Sequence, residues 1–345
     1  ADLIAALLAM GDTERAWRVI QARSTAPPHA RTLAYAARLA REERRIDLAI
    51  DYQRRALAAD PAPSAGDYRA LNELLDRDTT WRSAGIDHRA RSGTAGVSRY
   101  QATELPMERL FPEREEGRWA LRADLVQLDA GRFDWSSASS YDRQRFGSAA
   151  LCTSQADCDS ASRQQAEGLA LNVGLERGAT RYDLGTTPIG FPVQGWVGGI
   201  LHRGDLGPFA YSLDLSRRPV TGSLLSYAGA RDPRTGRTWG GVQATGLRLG
   251  LSLDDGGRYG AWSSFGLHQL SGRHVLDNTR LQLMAGGQMR VINEDDRLLQ
   301  FGLTGMVLQF SENNGEYSYG HGGYYSPQRY RSLALPVTYG ERSER

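Results

Sequence analysis

From Trp81 onward the chain repeats with a period of two, and no other feature limits its fold as much. Leu169, Leu171, Val173 and Leu175 alternate with Gly168, Ala170, Asn172 and Gly174. Phe209, Tyr211, Leu213 and Leu215 alternate with Ala210, Ser212, Asp214 and Ser216, and Leu247, Leu249, Leu251 and Leu253 with Gly246, Arg248, Gly250 and Ser252. Leu281, Leu283 and Ala285, then Leu299, Phe301 and Leu303, continue the pattern. Successive residues of a strand point to opposite faces. Each strand therefore carries a Leu/Phe band on one face and Arg, Asp, Gln, Asn, Ser or Gly on the other.

A soluble sandwich also alternates, so three further features decide for a transmembrane β-barrel. The apolar face recurs on many long strands with few helices to cover it. The opposite face carries whole charges, which a sandwich would have to turn to solvent. Connections alternate between short ones (residues 176–180, 202–207, 254–258, 293–296) and long ones (129–165, 218–238, 311–328), as in outer-membrane barrels with short periplasmic turns and longer outer loops. Hydrophobic residues make up 40% of the 345 and mean hydropathy is −0.49, which barrel strands tolerate because half their side chains are polar. No apolar run approaches the roughly 18 residues of a transmembrane helix. The net charge of +2 comes without a block of like charge, so nothing suggests nucleic acid. All 42 cationic residues are Arg, which reads as a compositional bias of the source.

Residues 1–78 follow a helical period instead. Leu3, Ile4, Leu7 and Leu8 form an apolar stripe broken at Gly11-Asp12. A second helix holds Ala16, Trp17 and Ile20 and stops at Pro27-Pro28; further helices are expected over 32–42, 46–59 and 66–77. Ala16 and Ala49 recur 33 residues apart, and Ala37, Ala49, Ala56 and Pro61 fall where a tetratricopeptide repeat wants small residues and a closing Pro. The repeat's usual Trp position holds Leu33, so an unrelated helical hairpin stays open. Residue 1 already lies in a helix pattern and no signal peptide precedes it, so the chain reads as the end of a longer helical array.

Strand parity gives a topology. With a first strand at 81–89 and a second at 97–103, residues 129–165 join strands three and four, and every long connection falls at one end. If the repeats are periplasmic, that end is external. About twelve strands fit residues 79–345, and the closing Gly340-Glu341-Arg342-Ser343-Glu344-Arg345 is no strand end, so a C-terminally truncated barrel is expected.

Five segments carry a family resemblance: Leu128-Asp129-Ala130-Gly131; Gly185-Thr186-Thr187-Pro188-Ile189-Gly190-Phe191; Arg218-Pro219-Val220-Thr221-Gly222-Ser223-Leu224-Leu225-Ser226-Tyr227-Ala228-Gly229; Thr238-Trp239-Gly240-Gly241-Val242; and His321-Gly322-Gly323-Tyr324-Tyr325-Ser326-Pro327-Gln328. Over roughly residues 80 to 340 the chain resembles the C-terminal domain of the outer-membrane component of bacterial cellulose synthase, the cellulose export porin of cellulose synthesis operons. That resemblance implies a sixteen-stranded barrel behind a periplasmic tetratricopeptide array, embedded in outer-membrane lipid. It also implies export of a β-glucan, normally cellulose, and periplasmic partners from the synthase complex. A different exopolysaccharide is the main alternative. An outer-membrane barrel enzyme and a soluble adhesin-like β protein are further ones.

Parity assigns Arg122, Asp124, Asn172, Asp214, Arg218, Arg248, Arg280, Gln282, Gln288 and Arg290 to the polar, lumen-facing side. They either hydrate and guide a glucan or stabilise the wall across the lumen. Trp196, Trp239 and Trp262 either stack on sugar rings or belong to interfacial girdles. The 218–239 and 313–327 segments either fold into the pore as gates or are ordinary external loops. Cys152 and Cys158, six apart in a polar stretch, suit a small disulfide over two free thiols, and no further metal ligands lie near them. Asp254-Asp255 and Asp295-Asp296 read as turn formers before they read as paired catalytic carboxylates. His268, His274 and His321 lack metal-ligand spacing. No G-x-S-x-G or phosphate-loop motif occurs. Neither catalysis nor a cofactor is expected.

Overall fold

The computed structural model describes residues 2–10, 12–23, 29–134, 138–158, 163–294 and 296–342. Gly11, Pro27, Pro28, Asp295 and the final Ser343, Glu344 and Arg345, on which several expectations rested, lie outside them. Two compact units emerge: residues 1–83 with 108–121 and 175–178, and the remainder of the chain.

The first unit is built on five helices, α1 (Asp2–Ala9), α2 (Thr13–Arg23), α3 (Ala30–Glu42), α4 (Ile46–Ala59) and α5 (Ala65–Asp78). Small residues at three- and four-residue spacing bury one stripe of each central helix: Leu33, Ala36, Ala37 and Ala40 on α3, and Ile46, Ala49, Ile50 and Ala56 on α4. Ile4, Leu7, Ala16, Ile20, Ala36 and Leu39 form one core, and Ala40, Ile46, Ala49, Ile50 and Leu74 the next. Asp60-Pro61 ends α4, and Ser64 opens α5 through a reciprocal cap with Asp67. The far end of α5 is tied to the 108–121 segment. Arg77 donates to Glu113 at 2.6 Å, Arg114 to Asp78 at 2.8 Å, and Arg118 to the Asp76 carbonyl at 3.1 Å.

Among the described residues the rest is built on one fifteen-stranded antiparallel sheet. Strands β1 (Trp81–Ala84) and β2 (Asp87–Arg91) both pair with β3 (Tyr100–Leu110). In sheet order there follow β4 (Arg118–Arg132), β6 (Arg163–Arg177), β7 (Thr180–Thr186), β8 (Trp196–Leu206), β9 (Phe209–Pro219), β11 (Thr238–Leu253), β12 (Tyr259–Arg273), β13 (Val275–Asn293) and β14 (Arg297–Phe310). Strands β16 (Tyr330–Ala334) and β17 (Val337–Glu341) both pair with β14. Short strands β5 (Phe146–Gly147), β10 (Ala230–Arg231) and β15 (Tyr317–Ser318) lie in the connections, β10 pairing with β11 as the fifteenth strand of the sheet, as do the short helices α6 (Ser140–Gln144) and α7 (Leu224–Tyr227). With β1/β2 and β16/β17 each taken as one interrupted course, the path has twelve courses.

The second strand departs from its expected span of 97–103 and runs from Tyr100 to Leu110. Pro106 explains the misreading, because a proline inside a pattern argues against a strand. Here Pro106 lies opposite the break between β1 and β2, where no ladder donor is needed, and its carbonyl accepts from Gly85 at 3.0 Å. Val97 sits in the preceding turn.

Antiparallel order places the connections 92–99, 133–162, 187–195, 220–237 and 311–329 at one end of the sheet, together with the one-residue turn at His274, and the other short turns at the opposite end. The long connections pack together on the polar face. Phe146, in the β4–β6 connection, meets Phe133 at 5.3 Å and Trp239 at 5.6 Å, and β5 pairs with β15. Arg91, on the first course, donates to the Tyr317 hydroxyl at 3.3 Å, in the connection before the last course. Contacts between courses so distant in sheet order mean that the sheet is rolled around its polar face. Among the described residues no ladder joins its two ends.

Candidate functional site

Register separates the two faces of the wall. One ladder runs Leu213, Leu249, Phe265, Leu283, Val307 across β9, β11, β12, β13 and β14. These side chains stand 38–49% exposed although they are large and apolar. Soluble monomers do not leave a contiguous band of this kind in water. Strands β4, β6 and β12 have 15 residues each, more than the roughly 9–11 needed to cross hydrocarbon.

The next ladder belongs to the opposite face: Asp214, Arg248, Gly266, Gln282. One step nearer the long connections it is Ser216, Gly246, His268, Arg280. Charges on this face are mostly matched in pairs. Arg218 grips Asp183 with two bonds of 2.5 and 2.6 Å, and Asn172 donates to the same carboxylate. Arg122 donates to both oxygens of Asp124, and Arg89 to Glu104 at 2.5 Å. At the short-turn end Asp254 accepts from Arg290 at 2.6 Å, from Gln288 at 2.6 Å and from the Gly256 amide at 3.0 Å. Those bonds, led by Arg290, hold the Asp254 carboxyl down at about 2. Asp254 is therefore the hub of a turn.

Above the polar ladders the long connections make a packed core. It holds Phe133, Phe146, Phe191, Leu224, Leu225, Tyr227, Trp239 and Tyr317 together with Tyr100, Ala102, Val126 and Leu128 from the strands. Helix α7 is buried throughout and carries its own Ser223–Ser226 capping box. Gly240, at φ +99, lets its backbone pass against the Leu225 carbonyl, where any side chain would collide. Cys152 and Cys158 are bonded, with Cα atoms 5.9 Å apart, and Cys158 is part of this core.

Asp232 fastens two connections to each other. It is 2% exposed and accepts from the Ser148 amide at 2.6 Å and hydroxyl at 2.7 Å, and from the Thr235 amide at 2.9 Å and hydroxyl at 2.6 Å. Burial alone would raise its carboxyl; the Thr235 and Ser148 donors outweigh this and leave it below the usual range.

Arg122, Asp124, Asp214, Arg218, Arg248, Arg280 and Gln282 thus share the polar face. Trp239 does not line it as an accessible platform. It is fully buried between Phe146 and Tyr319, so no ring face is left for a sugar, which corrects that expectation. Trp196 is 68% exposed and pairs with Thr186 at the rim of the apolar face. Trp262 lies on the polar face, opposite Ser252 and Gly286. Sequence reasoning missed Asp183, though its place between Tyr182 and Leu184 gives it the polar parity. It also missed Asp232, Phe146 and Tyr317, for which a loop offers no periodicity.

The family model described as the C-terminus of cellulose synthase operon protein C matches residues 98–345. Cellulose synthase operon protein C of Salmonella typhimurium is 39% identical over 260 residues, covering 75% of this chain and 22% of that protein. Its Escherichia coli K12 counterpart is 37% identical over 304 residues, covering 87% and 25%. A Komagataeibacter xylinus protein, cellulose synthase 1 operon protein C, is 26% identical over 313 residues, covering 80% and 23%. The chain thus spans about a quarter of the length of these curated relatives. An anion-selective porin from Comamonas acidovorans aligns with a TM-score of 0.29 over 75% of this chain and 98% of its own, at 10% identity, too slight a likeness to bear on the fold. The chain belongs to the family of the cellulose synthase operon protein C C-terminus.

Proposed function

We propose that this chain forms the wall and closed outer end of an outer-membrane conduit that passes a β-glucan, most readily cellulose, from periplasm to exterior. The observation that carries the reading is the division of one rolled sheet into an exposed apolar face and a charged, hydrogen-bonding interior face. A glucan is a string of hydroxyls, so it needs a wet path whose donors and acceptors stand in for water. Arg122, Asp124, Asp214, Arg218, Arg248, Arg280 and Gln282 supply such groups, and Trp262 is the tryptophan placed to stack on a ring. Residues 79–345 form the conduit, and the exposed Leu/Phe band meets outer-membrane lipid.

Residues 1–78 are the end of a tetratricopeptide array on the periplasmic side, where they meet periplasmic components of the synthase complex. The small buried residues Ala37, Ala49 and Ala56 support the repeat reading. The tie between α5 and the short β3–β4 connection supports the side. The packed connections, α7 foremost, act as the gate. No step of this function requires a catalytic residue or a cofactor.

Deletion of the full-length gene tests the reading directly. Extracellular glucan is expected to vanish while periplasmic glucan accumulates; unchanged extracellular glucan would reject export.

A further inference from the structure

Four arginines on the interior face have a carboxylate: Arg89 has Glu104, Arg122 has Asp124, Arg218 has Asp183 and Arg290 has Asp254. Arg248 and Arg280 differ from these four, with neither bonded to a carboxylate among the described residues. They lie together. His268 faces Arg280 across β12–β13 and Gly246 across β11–β12, and Arg248 follows Gly246 by two residues on the same face. Across β9–β11 Arg248 faces Asp214, the carboxylate that the register sets beside the pair. Two arginines against one aspartate leave an excess of positive charge in this stretch of wall.

The hydrogen-bond state is also incomplete. His268 is 7% exposed and its Nδ1 is buried without a partner, as is Nε of Arg280. A buried donor left unpaired is costly, and guanidinium groups two strands apart on one face repel. Gly246 and Gly266 place no side chains between them, and even a methyl group at Gly266 would come within 3.4 Å of the His268 ring. This stretch of wall is bordered by charge-bearing donors and carries glycines at Gly246 and Gly266. An oxyanion would resolve both deficits at once, since guanidinium groups bind carboxylate and phosphate through short, paired bonds.

We propose that Arg248, His268 and Arg280 form an oxyanion-binding site on the interior wall beneath the packed connections. The ligand class is a carboxylate or phosphate group, either free or borne on the polymer in transit. The polymer-borne case rests on the conduit reading; the site itself does not.

The test uses the full chain in detergent micelles, its fold verified by heat-modifiable migration. Three probes are titrated at low salt: neutral cellohexaose, carboxymethylated cellohexaose and inorganic phosphate. The charged hexaose is expected to bind at least tenfold more tightly than the neutral one. Phosphate should displace it, and the advantage should fall to within twofold in Arg248→Gln and in Arg280→Gln, while Arg89→Gln, whose partner is Glu104, should keep it. Phosphate binding that depends on Arg248 and Arg280 without any advantage for the charged hexaose supports the site and assigns it to free anions. Phosphate binding with no hexaose binding at all keeps the site and counts against the conduit. If Arg280→Gln does not fold, the exposed Arg248→Gln decides alone. Probe affinities that neither substitution changes would overturn the proposal.

Discussion

At the scale of single residues, the most consequential side chain is one that no periodicity could flag. Asp232 joins the β4–β6 and β9–β11 connections through Ser148 and Thr235. Its folded-state carboxyl is held below the unfolded value of about 3.9. The stability it contributes is therefore present in full above that unfolded value and disappears as pH falls through the lowered one. Asp232→Asn removes the charge and turns an amide toward donors, and should cost about 1–3 kcal/mol at pH 7. Thermal midpoints of the two proteins should converge in strong acid; a gap of equal size at every pH would reject this account. Trp239 shows the same limit of sequence reading from the other side. Its alternating neighbours gave it a place on a strand, but only the loops folded above it decide that it is buried. Arg218 was legible as an interior residue, whereas its bidentate partner Asp183 lies two strands away in sheet order, beyond the reach of any local pattern.

Among elements, strands are more legible than connections, because an amphipathic strand repeats its rule at every second residue and a loop repeats nothing. The fourth helix stands where its stripe predicted, over Ile46–Ala59. The β3 boundary was lost to Pro106, a residue that excludes strands in general and is accommodated here by a break in the neighbouring course. The apolar band makes a prediction of its own. Leu249 stands in mid-ladder between Leu213 and Phe265. If that face meets lipid, Leu249→Arg should destabilise the protein in bilayers by about 2–4 kcal/mol. Gly250→Ser, one residue on and facing inward toward Ser212, should cost much less. Denaturant unfolding in phospholipid vesicles measures both; equal costs would mean that the band is not lipid-facing. The Cys152–Cys158 loop gives a second prediction. Cys158 is 3% exposed and belongs to the core that also holds Phe146 and Trp239. Replacing both cysteines by Ser removes a covalent limit on the unfolded loop and puts a polar group in that core. Protease cleavage within residues 138–158 should accelerate several-fold while the strands remain protected, as mass mapping of the fragments would reveal; unchanged cleavage would show that packing alone holds the loop.

For the whole molecule, the segments that carry the family resemblance converge on one place. Phe191, Leu224, Leu225, Tyr227 and Trp239 from those segments share the main core of the connections, and Val242 and Tyr324 share the adjoining one. The wall itself is generic, since many sequences can alternate leucine with polar residues; the packed connections are what distinguish this chain. If the conduit proposed above is closed at rest, it must open by displacing this core, whose apolar contacts favour the closed state. Replacing residues 221–236 by a short glycine–serine turn removes α7 and Asp232 together while leaving both flanking strands their ladder partners. In planar bilayers this variant should conduct in long, open events where the parent chain is mostly silent, and neutral cello-oligosaccharides should interrupt its current. In cells depending on it for export, it should leak small periplasmic solutes and confer sensitivity to large antibiotics. Silence in both assays would mean that the remaining connections close the path without α7. Conduction by the parent equal to that of the variant would mean that the packed end is not a gate.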